Sequence, residues 1–395
     1  MSTDDYPTPS VDVGSVTPRS LWADIRAGEP VTLLDVRSEG EFEEWHIDGD
    51  RVDVTNIPYY EFIEGIDGGL LDRVPTADPL VIVCAKGGAS AYVAGLLIEE
   101  GRDAVNLADG MNGWAEIYAS FAFDLDGGPT VLQYQRPSSG CLGYLVVDGD
   151  EAAVVDPLRH FADRYPADAA DQGAHLTTVI DSHIHADHLS GLRTVSADTT
   201  ARTVLPASAI HRGVTFEVDE AIEDGEALTV GETTIEAVHT PGHTTGMTSF
   251  LVDDRVLLTG DSLFVESVAR PDLERGAAGQ EDFAATLYDT LHERILPLPD
   301  DTLVAPGHSS DAAEPNPDGT YTATVGRLRD EMAALQMDRQ EFISFIVADM
   351  PPRPANFETI IATNLGQEAV DDEEAFRLEL GPNNCAASSG ALTGD

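Results

Sequence analysis

The eleven residues DSHIHADHLSG (181–191) constrain this chain more than any other stretch. His183, His185, Asp187 and His188 crowd four metal-ligating side chains into six residues, directly after the apolar run TVIDS. Three later apolar runs end in the same way: TIEAVH leads into TPGH with His243, RVLLTG into Asp261, and LVAPG into His308. Ligands delivered at the ends of separate strands suit a preformed metal site, because the loops carry the donors and the sheet behind fixes their spacing. A single histidine in a polar loop is usually a solvated or capping group. Five of the eleven histidines gathered in HxHxDH, TPGH and PGH, in that order, argue for ligands.

The remaining pattern places this constellation in the second of two domains. A chain of 395 residues exceeds one ordinary core. From about residue 16 to 124, short apolar runs alternate with helical stretches. VTLLDV (31–36) and LVIVC (80–84) read as buried strands, and ASAYVAGLLIEEG (89–101) has helical periodicity closed by glycine. Buried strands alternating with helices predict a parallel sheet covered on both faces. A Gly-Gly-Pro break at 127–129 follows. The expected division is a polar arm over 1–15, a first domain over 16–125, and a second over 128–366 that includes helices from 321. A tail over 367–395, acidic to Glu379 and then rich in small residues, is expected to be mobile. The fold class is thus α/β plus α+β: a parallel sheet with helices on both faces, then a strand-dominated sandwich with helical cover.

Charge narrows the partners. The formal net charge is −49, which excludes nucleic-acid backbones and anionic membrane surfaces. All 22 basic residues are arginine except Lys86. Acidic residues spread along the whole length with almost no lysine predict a protein solvated in concentrated salt, hence a halophilic cytoplasm. No apolar run reaches membrane-spanning length, and MSTDDYPTPS lacks the basic start of a signal peptide. Cys84, Cys141 and Cys385 are odd in number and form no CxxC pair, which fits a reducing compartment.

The motifs from His183 to His308 resemble the metallo-β-lactamase superfamily, which implies a four-layer αββα sandwich with metals at one edge of the strands. In its dinuclear hydrolases, typified by glyoxalase II, the resemblance implies His183, His185 and His243 on one metal. Asp187, His188 and His308 would then hold the other, with Asp261 bridging, and two Zn(II) would serve a thioester hydrolysis. The segment VESVARPDLERG, the stretch TLYDTLHERILPLPDDTLVAPGH and the pattern DRQEFISFIVADMPPRPANF with Asn364-Leu365-Gly366 are more similar to the persulfide dioxygenases. That branch implies one Fe(II) per chain on His183, His243 and Asp261, with His185, His188, His308 and a catalytic Asp187 around it. Arg270 is expected to orient the metal loop or to meet the carboxylates of a thiol substrate. Ala269 stands where that family often has Gly, and Ser309-Ser310 where it often has Asp-Tyr. These positions shape the thiol pocket, so the carrier thiol is left open.

LLDVRSEGEFEEWHIDGD, LVIVC with its loop, and NLADGMNGW resemble a rhodanese domain. Cys84 ends a buried strand, and the loop Cys84-Ala85-Lys86-Gly87-Gly88-Ala89-Ser90 opens a helix whose N–H groups would stabilise a thiolate or persulfide. Lys86, the only lysine, lies two residues away, where a compact ammonium would depress the thiol pKa and attract anionic sulfur donors. Ala89 replaces the arginine usual late in this loop, which weighs against thiosulfate cleavage. Together the resemblances imply oxidation of a low-molecular-weight thiol persulfide by O₂ to sulfite, coupled to sulfane-sulfur transfer at Cys84 with sulfite or thiosulfate as partners. The alternative is thioester hydrolysis with a rhodanese domain that only binds or senses sulfur species. Association into a homo-oligomer is compatible with either.

Overall fold

In the computed structural model, which describes residues 6–387 apart from 126, 277, 311–312, 349 and 382–384, the chain divides into two compact units. The first takes in Met1–Ile117 with Arg136–Ser139, and the second Tyr118–Gln135 with Gly140–Asp395.

The first unit is built on a five-stranded sheet in the order Ser15–Val16, Ala104–Leu107, Leu80–Val83, Val31–Asp35, Val52–Asn56, parallel throughout. Parallel strands need crossovers, and the crossover helices bury both faces. One face packs Leu34, Ile82 and Cys84 with Val93 and Leu97 of the helix Gly88–Glu99. The other packs Leu33, Val81 and Val83 with Leu21, Met111 and Trp114. The alternation of Leu33 and Leu34 between two cores explains why VTLLDV reads as one unbroken apolar run. The arm is not loose where it is described. Tyr6 packs edge-on against Tyr59 at 5.4 Å, and Ser10 hydrogen-bonds to Glu99. Residues 1–5 of the expected arm lie outside the described residues.

The expected end of this domain at 125 needs correction. Strand Ala119–Asp124 pairs antiparallel with Thr130–Gln135 and forms the edge of the next sheet. A short apolar strand at a domain junction can close either sheet, and only the pairing decides which.

The second unit stacks four layers. A seven-stranded sheet runs in the order Glu220–Ile222, Arg202–Pro206, His175–Ile180, Glu151–Val155, Leu142–Asp148, Thr130–Gln135, Ala119–Asp124. A six-stranded sheet runs Ala227–Val230, Thr233–His239, Thr248–Val252, Val256–Gly260, Leu303–Pro306, Ala323–Thr324. Tyr144, Val146 and Val155 meet Ile235, Phe250 and Leu258 between the sheets. Their neighbours Leu145, Val147 and Val154 face outward onto Tyr165 and Ala169 of the helix Arg164–Asp171. On the far side, Leu257 and Val304 pack on Leu287 of Gln280–Thr290 and Phe342 of Arg339–Ala348. This is the expected αββα sandwich. Among the described residues, no helix is long and apolar enough to cross a membrane.

The stretch expected to be a mobile tail is anchored by a few buried residues where it is described. It forms the helix Asp372–Leu378, and Glu379, Cys385 and Ala387 are buried. The end of the expected tail, 388–395, lies outside the described residues.

Candidate metal centre and sulfur site

Four strands of the second unit end at one place. His175–Ile180 runs into the loop bearing His183, His185, Asp187 and His188, Thr233–His239 into His243, Val256–Gly260 into Asp261, and Leu303–Pro306 into His308. All seven side chains are buried. Close approach of these loops requires glycine at two points. Gly260 has φ +48°, and a Cβ at Gly307 would lie 2.6 Å from Asp261 Oδ1.

His183, His243 and Asp261 offer ligand atoms within 4.8 Å of one another. Asp261 Oδ2 lies 3.7 Å from His183 Nε2 and 3.6 Å from His243 Nε2, and all three atoms are buried without a hydrogen-bond partner. Buried polar atoms are otherwise nearly always satisfied, so three orphans converging on one point fit a metal ion. The tautomers agree. Ser182 Oγ donates to Asp156 Oδ2 (2.8 Å) and so accepts from His183 Nδ1 (2.9 Å). His243 Nδ1 donates to the Arg270 carbonyl (3.0 Å). Each ring therefore directs an Nε2 lone pair at the metal position, the usual role of the partner behind a ligating histidine. Burial pushes both imidazoles below their ordinary pKa, which keeps them neutral. Burial would raise Asp261, but His308, through its charge and its hydrogen bond, holds it below the usual carboxylate range. Two neutral imidazoles and one carboxylate suit a divalent ion.

The other expected ligands form a second group. Asp187 Oδ2 accepts from His188 Nδ1 (2.7 Å) and His308 Nε2 (3.1 Å), while His308 Nδ1 donates to Asp261 Oδ1 (2.7 Å). Both ring nitrogens of His308 thus face carboxylates. Burial opposes its protonation, but Asp261 and Asp187 raise its pKa well above the ordinary value. His185 Nε2 bonds Asp156 Oδ1 (3.1 Å) and groups with Asp156 and Asp181, while its Nδ1 is buried without a hydrogen-bond partner on a ring whose centroid lies 4.2 Å from that of His183.

Arg270 departs from one expectation. Its guanidinium is fully buried, with Nε and Nη2 on Asp272 (2.8 and 3.3 Å) and Nη1 and Nη2 on the carbonyls of Pro352 and Pro351 (both 2.8 Å). A side chain so enclosed is not presented to substrate carboxylates. Its connection to the site is the backbone carbonyl on His243.

Sequence reasoning missed two thiols. Cys141 Sγ donates to Asp187 Oδ2 (3.5 Å) and groups with Asp187, His188 and His308, while Cys385 groups with Asp187, Asp261 and His308. Burial and Asp187 push the Cys141 thiol up, but hydrogen bonds with His188 and His308 outweigh them and bring it to about 7. Burial, with Asp187 and Asp261 beside it, pushes Cys385 well up. Cys141 is placed by a bridge to His308 across the fold, and Cys385 lies in the supposed tail, so no local motif marked either.

In the first unit Cys84 follows the strand Leu80–Val83, and its Sγ accepts from Gly87 N (3.1 Å) and Ser90 Oγ (3.0 Å). The carbonyls of Cys84 and Ala85 accept from Met111 and Asn112 N (2.8 and 3.0 Å), which fixes the loop. Lys86 is exposed on this loop, and Ala89 is buried.

Residues 17–117 match the rhodanese-like domain family, and residues 138–308 match the metallo-beta-lactamase superfamily. The human mitochondrial persulfide dioxygenase ETHE1 is 30% identical over 245 residues, covering 60% of this chain and 89% of that protein. The cytoplasmic hydroxyacylglutathione hydrolase of Arabidopsis thaliana is 28% identical over 232 residues, covering 56% of this chain and 81% of that one. Among solved structures, ETHE1 from Myxococcus xanthus superposes with a TM-score of 0.52 at 28% identity, over 60% of this chain and 98% of that one.

Proposed function

We propose, for a chain that belongs to the metallo-β-lactamase superfamily as a homologue of the persulfide dioxygenases and carries a rhodanese-like domain besides, the iron-dependent oxidation of a low-molecular-weight thiol persulfide. In the balanced reaction, one persulfide, one O₂ and one water give the parent thiol, sulfite and two protons. The observation that carries this reading is the convergence of His183 Nε2, His243 Nε2 and Asp261 Oδ2, three buried atoms with no other partner. A ferrous ion would be held by His183, His243 and Asp261 and would supply the redox chemistry for persulfide and O₂.

The chain's own residues do the rest. Ser182 with Asp156, and the Arg270 carbonyl, hold the two ligand imidazoles in orientation. Asp187, anchored by His188 and His308, is the carboxylate placed to take a proton as the sulfur is oxidised and hydrated. His308, with a carboxylate on each ring nitrogen, would anchor Asp187 and Asp261 without itself holding the iron. Cys84 carries sulfane sulfur as a persulfide. It passes that sulfur to a thiol, or to sulfite to give thiosulfate, and returns as the free thiolate.

The nearness of Asp187, His188 and His308 to the triad also favours a second reading, a two-zinc thioester hydrolase. Paired variants separate the two. Asp261→Ala should abolish iron binding and O₂ consumption with a persulfide, whereas His308→Ala should keep most of the iron. Equal metal loss in both variants would support the dinuclear reading against the oxygenase.

A further inference from the structure

The loop bearing four of the metal-site residues does not hold itself in place. Its backbone is met by two side chains from the C-terminal segment. Asn364, buried at the end of the helix Phe357–Asn364, donates from Nδ2 to the carbonyls of His185 (3.0 Å) and His188 (2.8 Å). Its Oδ1 accepts from Ser190 N (3.0 Å). Glu379, just past the helix Asp372–Leu378 and 4% exposed, accepts from Leu189 N at Oε1 (2.7 Å). Four backbone groups between His185 and Ser190 are thus satisfied by residues more than 170 positions away.

The same segment grips the second metal loop. Arg270 N donates to the Cys385 carbonyl (3.1 Å) and Ala387 N to the Val268 carbonyl (3.0 Å), beside the Arg270 carbonyl that orients His243. Buried N–H and C=O groups must be paired, so losing those partners leaves backbone groups of the metal loop unsatisfied.

We propose that residues 364–381 and 385–387 form a strap that completes the metal site, with Asn364 and Glu379 as positioning residues for the loop 183–190. The inference rests on the reading that the triad binds a divalent ion, and not on that ion being iron or on the reaction. The strap sets metal affinity by fixing where the loop carries His183, and no strap side chain needs to touch the ion.

The test is a Co²⁺ titration of the full-length apoprotein, followed by the visible d–d absorption of the bound ion. Glu379→Ala leaves the Leu189 N–H unpaired and should weaken Co²⁺ binding by about 10–100-fold, the usual effect of losing a group behind a ligand. Glu379→Gln keeps an acceptor there and should bind like the wild type. Glu331→Ala, an exposed carboxylate on the helix Val325–Glu331 outside the strap, should change nothing. Asn364→Ala removes three hydrogen bonds and should weaken binding at least as much as Glu379→Ala. If it does not fold, the Glu379 pair decides alone. Glu379→Ala binding Co²⁺ as tightly as the wild type, or Gln and Ala weakening it equally, would overturn the strap. A wild-type chain that takes up no Co²⁺ would instead overturn the metal reading itself.

Discussion

Arg270 commits its buried guanidinium to neighbours: a buried carboxylate held through two nitrogens, and two proline carbonyls. Removing one side of such a buried pair usually costs about 3–5 kcal/mol, because the other side is left uncompensated. Arg353 stays on Asp272 and softens that loss. Arg270→Ala should therefore lower stability by a few kcal/mol in denaturant titrations and loosen metal retention through His243. Arg270→Lys should rescue little, since one ammonium cannot span three acceptors held by a planar fork. A stability unchanged by either substitution would show that the buried network is not holding the loop. The five motif histidines were legible in the sequence because they follow three strands, three of them in one loop and one after each of the other two. The partners of the Arg270 guanidinium and the places of Cys141 and Cys385 were not, because they depend on residues brought together from across the fold.

The elements of the first unit make a separate prediction. A rigid loop between strand Leu80–Val83 and helix Gly88–Glu99 directs Gly87 N and Ser90 Oγ at Cys84. Cys84→Ser should abolish sulfur transfer and leave persulfide oxidation at the metal nearly intact, each measured with its own substrate. Lys86→Ala should slow sulfur loading of Cys84, and Lys86→Arg should preserve much of it. If loading is unchanged by Lys86→Ala, the only lysine has no part in the sulfur chemistry. Most strands were legible as apolar runs because both faces of these sheets are buried. Residues 119–124 were placed in the first domain by a boundary at 125, because the residues of that strand do not encode which sheet it pairs with. The C-terminal segment was misread for a related reason. Its polar composition suggests solvent, yet Glu379 is buried by the loop that it supports.

At the scale of the whole molecule, charge and chemistry make distinct claims. A net charge of −49 repels itself unless it is screened, and the Debye length falls from about 10 Å at 0.1 M salt to about 3 Å at 1 M. The melting temperature should therefore rise from low to molar KCl, and a salt-independent melt would contradict the halophilic reading of the composition. The chemistry has a more direct test. The wild-type chain, loaded with Fe(II) under argon and freed of excess metal, should hold about one iron per chain, as a two-histidine, one-carboxylate site requires. On exposure to air with a thiol persulfide, it should consume one O₂ for each sulfite released. Two zinc ions per chain, thioester hydrolysis and no O₂ uptake with any persulfide would contradict the account.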